Sequence, residues 1–197
     1  AMATFLAAAV VGLVLAAATS WWLVLVGLSA ILAAWGYTGG PRPYGYLGLG
    51  ELFVFVYFGL VATVGTTFLA IERVPAVAWP AATGVGFLAC ALLVINNLRD
   101  IPTDAEVGKQ TLAVRLGDRR TRLLYGALVL GAFGAAVICA LDRPWCLLAV
   151  GAIAIARQPL AELRSGASGA ALIPILGATA RTQLVYGVLL TVGLSIG

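Results

Sequence analysis

The sequence predicts an all-α fold, a polytopic transmembrane helix bundle. Three observations carry that prediction. Of the 197 residues, 62% are hydrophobic and only 10% are charged. The mean hydropathy is +1.04. The apolar residues also gather into long runs, close to the roughly 20 residues that cross ~30 Å of hydrocarbon. A soluble domain of this length would carry about a quarter charged residues. In lipid the backbone must satisfy its own hydrogen bonds, so each run is expected to be a helix. The 24 glycines suit close approach between membrane helices.

Seven spans are expected, at 2–19, 21–36, 51–70, 76–97, 122–141, 145–161 and 181–196. The first has no positive n-region ahead of it, and the first basic residue is Arg42, so it reads as a span and not as a cleaved signal peptide. The second opens on Trp21-Trp22, which with Trp79 and Trp145 fit interfacial belts. The third follows Glu51 and has no acid at its centre; nor do the fifth to seventh. The fourth runs into a polar segment at Asn96. The fifth follows Arg119, Arg120 and Arg122, which read as topology anchors. The sixth ends near Arg157, which can snorkel to the interface. Cys90, Cys139 and Cys146 lie inside apolar runs without metal-ligand spacing and read as small packing residues. The chain has no histidine, which excludes imidazole acid–base chemistry and haem ligation by histidine.

The connections sort the charges. One side holds 37–50, 98–121 and 157–181, with Arg42, Arg99, Lys109, Arg115, Arg119, Arg120, Arg122, Arg157, Arg164 and Arg181. The other side has only Arg73 and Arg143. The positive-inside rule assigns the basic side to the cytoplasm, which puts the N-terminus inside and the C-terminus outside. The net charge of +4 therefore needs no nucleic-acid partner. Acids follow the same split: Glu51, Asp100, Asp104, Glu106, Asp118 and Glu162 against Glu72 and Asp142. Acids are costly near lipid, so their grouping at one face marks a candidate site.

The segment from Asn96 to Thr111 (NNLRDIPTDAEVGKQT) follows the fourth apolar run directly. Asn96, Asp100 and Asp104 are spaced by four and would share one face of a continuous helix, with Asn97 adjacent. Carboxylates and amide oxygens on one face are hard ligands suited to Mg²⁺. Pro102 disfavours helix at Ile101, so a kink or helix end is expected near Asp100, with Asp104 in a following turn or short helix. Lys109 and Arg115 lie beyond and could cover a diphosphate, and Gly108 would let the chain turn close to a phosphate. A DxxxD spacing also occurs on solvated helix faces; position at the mouth of an apolar bundle favours the site. The second polar block, Tyr37 to Glu51 (YTGGPRPYGYLGLGE), joins the second and third spans on the same side. It reads either as a turn-rich connector with interfacial tyrosines or as a rigid cap over a cavity, with Arg42 and the tyrosines facing a substrate.

These two blocks, YTGGPRPYGYLGLGE and NNLRDIPTDAEVGKQTLAVRLG, resemble the intramembrane aromatic prenyltransferase (UbiA) superfamily. Within it they look most like the 1,4-dihydroxy-2-naphthoate polyprenyltransferases of menaquinone biosynthesis, and the resemblance runs over nearly the whole chain. It implies a bundle of nine helices around a central cavity, with two aspartate-rich motifs holding Mg²⁺ and a prenyl diphosphate. It implies Asn97, Asp100 and Asp104 as metal ligands and Asp100, Asp104 and Lys109 as catalytic residues. Lys109, Arg42 and Arg115 would contact the diphosphate; Tyr37, Tyr44, Tyr46 and Asn96 would line the substrate under the cap. The reaction implied is transfer of a polyprenyl chain to 1,4-dihydroxy-2-naphthoate, giving demethylmenaquinone, in a bacterial cytoplasmic membrane with the site facing the cytoplasm. The family's first motif, Asn-Asp-x-x-Asp, does not occur in the sequence. Residues 1–197 are accordingly expected to form a single transmembrane prenyltransferase domain corresponding to family helices three to nine, lacking two helices and that motif. Three alternatives stay open: a related prenyltransferase taking 4-hydroxybenzoate, homogentisate or haem, a cation-binding transporter, and a structural subunit.

Overall fold

The structure is a computed structural model that describes residues 2–39 and 43–196. Among the described residues it is all helix and turn, without a strand. The hairpin of α1 (Met2–Ala18) and α2 (Trp22–Thr38) comes first. A 3₁₀ turn at Tyr44–Leu47 leads into α3 (Gly50–Ile71). Next come α4 (Ala78–Arg99), the short α5 (Ile101–Glu106), α6 (Leu112–Ala140), α7 (Pro144–Arg164) and α8 (Leu172–Ile196). Five helices are long and apolar enough to cross a membrane: α3, α4, α6, α7, and the last helix with its leading 3₁₀ turn. The 17-residue α1 and α2 are apolar but stand at the short end of spanning length. This is a multi-pass membrane protein.

Helices α4, α6, α7 and α8 enclose the core. The core takes Leu88 and Val94 from α4, Tyr125 and Phe133 from α6, Ala152 from α7 and Tyr186 from α8. Small residues set the spacing: a Cβ on Gly59 of α3 would stand 2.5 Å from Gly86 Cα of α4, so only glycine lets the two backbones meet. Buried hydroxyls bind across the helices. The Tyr186 hydroxyl donates to Ala132 O at 2.9 Å, and Tyr125 pairs with Thr179 at 2.8 Å. Helix α3 winds as a π-helix over Phe55–Val61, where it passes Gly86.

Two boundaries and one helix type differ most from expectation. The fifth span, expected at 122–141, belongs to a helix that starts at Leu112; Gly117 (φ 72°, ψ 168°) breaks it, a conformation glycine adopts without a Cβ clash. The last span, expected at 181–196, starts at Leu172, because 172–180 is itself apolar. Arg181 is thus inside α8, not in a loop, and its long side chain can reach back to the interface. The first nine residues of α7 are 3₁₀, not α.

Two cross-links fix which loops share an end. The Gln110 N–H donates to Tyr46 O at 3.1 Å, joining the loop before α3 to the loop before α6. Arg122 of α6 donates to Leu163 O and Ala167 O, each at 2.8 Å, joining that end to the α7–α8 connection. The three basic connections therefore lie at one end of the bundle.

Candidate active site

Helix α4 carries the polar end of its sequence out of the core. Asp100 leaves the helical region at φ −93°, ψ 3°, two residues ahead of Pro102, which has no N–H to donate back to the carbonyl of Leu98. The path is nonetheless almost continuous. The Asp100 N–H reaches Asn96 O at 3.2 Å, and Asp100 O accepts from the Asp104 N–H at 2.8 Å. Asp100 and Asp104 therefore stay one turn apart, with Asp104 in the short helix α5. Gly108, at φ 73°, then reverses the chain. The Lys109 N–H returns to Asp104 O at 2.8 Å, and its ammonium reaches Asp104 Oδ1 at 3.1 Å.

The two carboxylates meet different surroundings. Asp100 is about one-third exposed and held by Arg99, whose Nε and Nη2 donate to its two oxygens at 2.7 and 2.9 Å. Asn96 donates to Asp100 Oδ2 at 3.4 Å and accepts from Arg99 at 3.0 Å. Asp104 is only 8% exposed, and its Oδ2 is buried without a hydrogen-bond partner. Asn97 reaches another helix: its amide nitrogen donates to Glu51 Oε1 at 3.0 Å, in a buried pair.

The cap closes from the other loop. Lys109 Nζ stands 5.4 Å from the centroid of the Tyr46 ring, a cation–π arrangement. Arg115 donates to Gln110 O at 3.1 Å beside Gly48, whose φ of 71° and close approach to the Arg115 side chain suit glycine alone. The Tyr44 hydroxyl donates to Ala33 O at 2.7 Å, its ring stacking on Phe53 at 3.8 Å. Burial, with Tyr37 and Tyr57 nearby, pushes the Tyr44 phenol above its usual range, so it stays a donor. Tyr37 packs edge-on to Tyr44, and the charges within electrostatic reach of its hydroxyl are Lys109, Glu51 and Asp104. Below the cap an apolar cleft of about 620 Å³ runs between α2 and α3, lined by Ala33, Tyr37, Tyr44, Phe53, Tyr57 and Phe58 among others. Arg42, expected at the diphosphate, lies outside the described residues.

The site thus gathers Asp104, Lys109, Tyr37 and Tyr46, with Asp100 at its rim and Asn97 on its inner wall. Among the described residues no three His, Cys, Asp or Glu side chains form a ready-made cage. The donor set still fits Mg²⁺, which takes one or two carboxylates and completes its shell with water and phosphate. The unpartnered oxygens of Asp104 and Glu51 are where buried polar atoms lack a partner.

The sequence matches the UbiA prenyltransferase family over residues 1–163. The chain belongs to that family. A 1,4-dihydroxy-2-naphthoate octaprenyltransferase of Mycobacterium tuberculosis is 46% identical over 197 residues, all of this chain and 68% of that protein. One from Mycobacterium leprae is 43% identical over 179 residues, 91% of this chain and 61% of the relative. One from Bacillus subtilis is 29% identical, with 100% and 64% covered. The chain spans about two thirds of the length of these relatives. No solved structure matches it. Within this UbiA-family chain the residue that sequence reasoning passed over is Glu51. It closes the Tyr37–Glu51 block and is the only acid of α3, a signal that was present but read only as part of the acidic face.

Proposed function

We propose that this chain carries out transfer of a polyprenyl group from its diphosphate to 1,4-dihydroxy-2-naphthoate, giving demethylmenaquinol, the hydroquinone form of demethylmenaquinone, with release of CO₂ and diphosphate. The observation that carries the reading is the Tyr46–Gln110 bond, which folds the two blocks typical of the family onto each other above an apolar cleft. The names of the relatives supply the acceptor class. The basic end of the bundle is read as cytoplasmic, so the site faces the cytoplasm of a bacterial membrane.

In this reading Asp100 and Asp104, with Asn97 behind them, would hold Mg²⁺, which when bound supplies positive charge against the leaving diphosphate. Lys109 places a second cation beside Asp104. Arg115 is read as a further diphosphate contact, as is Arg42 from its place in the sequence. Neutralising the leaving group lets the allylic C–O bond break, and positive charge develops on the prenyl carbon. The electron-rich naphthoate ring attacks that carbon, a C–C bond forms, and the ring loses its carboxylate as CO₂. Tyr37, Tyr44 and Tyr46 orient the acceptor, and the apolar cleft takes isoprenoid and excludes water from the cation. Residues 1–197 are read as one prenyltransferase domain, and the family's Asn-Asp-x-x-Asp motif as the complement the metal site would use.

The test is product formation by the purified protein from labelled prenyl diphosphate and 1,4-dihydroxy-2-naphthoate, with and without Mg²⁺. Asp100→Ala and Asp104→Ala should each lower the rate by about 100-fold or more while helicity is retained. Near-native rates in either variant would remove that residue from the site. Product that does not need Mg²⁺ would remove the metal.

A further inference from the structure

We propose that Glu51 supports the cation site from its inner wall, positioning Asn97 and adding a negative charge behind it; this rests on the metal-dependent reading above. Glu51 is the second residue of α3 and is only 9% exposed, in a chain whose α3 otherwise carries no charge. Its Oε1 accepts from the Asn97 amide nitrogen at 3.0 Å. That bond uses the Asn97 nitrogen and leaves the amide oxygen as the group Asn97 can offer to a cation. Its Oε2 is buried with no hydrogen-bond partner.

An unpartnered buried carboxylate oxygen is costly unless something charged covers it. Among the described residues two buried side-chain oxygens lack a partner, and they are Glu51 Oε2 and Asp104 Oδ2. Both carboxylates lie within electrostatic reach of the Tyr37 hydroxyl, as does the Lys109 ammonium. Position Cβ of Gly50, next to Glu51, would stand 4.0 Å from that hydroxyl, so the start of α3 borders the site directly. Among the described residues the cation beside these two acids is the Lys109 ammonium, which bonds Asp104 Oδ1 and leaves both of those oxygens uncovered. A divalent cation held in the site would face them. Glu51 could instead serve only the positive end of the α3 dipole. That role would need neither the Asn97 bond nor an oxygen without a partner.

The experiment titrates Mn²⁺ as a spectroscopic probe, in the presence of inorganic diphosphate, against the full chain in detergent. Glu51→Gln keeps the size and an acceptor for Asn97 but removes the charge. Its Mn²⁺ affinity should fall by about tenfold or more, with helicity unchanged. Glu51→Asp keeps the charge and should bind Mn²⁺ better than Glu51→Gln does. Two results would overturn the proposal: Glu51→Gln binding as tightly as the parent, or the two variants losing affinity equally in the folded state. If Glu51→Gln does not fold, the Glu51→Asp titration against the parent decides, and total loss of Mn²⁺ binding in a folded Glu51→Asp would overturn it. Asp104→Asn separates the two ideas: unchanged Mn²⁺ binding there refutes the metal reading itself, independent of Glu51.

Discussion

At the scale of single residues, the site and the fold use charge differently. Arg122 is mostly buried and has no partner across the site. It grips Asp118 through Nε at 2.6 Å and spends its other N–H groups on Leu163 O and Ala167 O. Leu163 lies in the last turn of α7, where carbonyls have no helical partner, so Arg122 caps a helix from a distance. Hydrogen bonds from a charged donor are worth about 1.5–3 kcal/mol each, so Arg122→Ala should destabilise the protein by about 2 kcal/mol or more. A lowered Tm in detergent, with prenyl transfer intact at low temperature, is the expected result. Arg99 is the contrast. It binds Asp100 bidentately, but both side chains are about one-third exposed. Such a pair contributes little and gives way easily to a competing cation.

At the scale of elements, what was legible in the sequence depended on whether the signal was local. The helix end at Asp100 was readable because Pro102 removes a backbone donor and crowds the carbonyl four residues back, both local effects. The turn at Gly108 was likewise expected from the residue and is present, at φ 73°. The helices that carry the expected spans 122–141 and 181–196 start ten and nine residues earlier, at Leu112 and Leu172, with Arg122 and Arg181 inside them. A long arginine does not mark that edge, because its head can reach the interface from a turn or two inside. The π stretch of α3 had no sequence signal, since it answers to Gly86 on another helix. That contact supports a prediction at this scale. Gly59→Val should push α3 off α4 and cost about 1–3 kcal/mol by overpacking. Unfolding of the variant at lower temperature, with loss of activity as α3 moves Glu51, would confirm it; an unchanged Tm would refute it.

For the whole molecule, the distribution of basic residues makes a topological claim. The end that holds Lys109, Arg119 and Arg164 should face the cytoplasm, and the end that holds Asp142 should face away. The three native cysteines are buried, so they give a quiet background for labelling. Arg119→Cys should react with an impermeant maleimide only in inverted membrane vesicles, and Asp142→Cys only in right-side-out ones. The opposite pattern would place the proposed site on the wrong side for a cytoplasmic substrate.

The sequence alone determined the class of the molecule, its all-α character and the end of the bundle at which its basic connections gather. Those properties follow from composition, from the need to satisfy every backbone group in lipid, and from the placement of arginine. It also determined which two blocks belong to the candidate site. Only the tertiary structure decided how those blocks meet. The Tyr46–Gln110 bond and the Asn97–Glu51 pair join residues brought together by packing. Asn97 and Glu51 are 46 positions apart, and no local periodicity reports a contact at that range. Their pairing arises because glycines on α3 and α4 let two helices approach closely enough to bury a carboxylate against an amide.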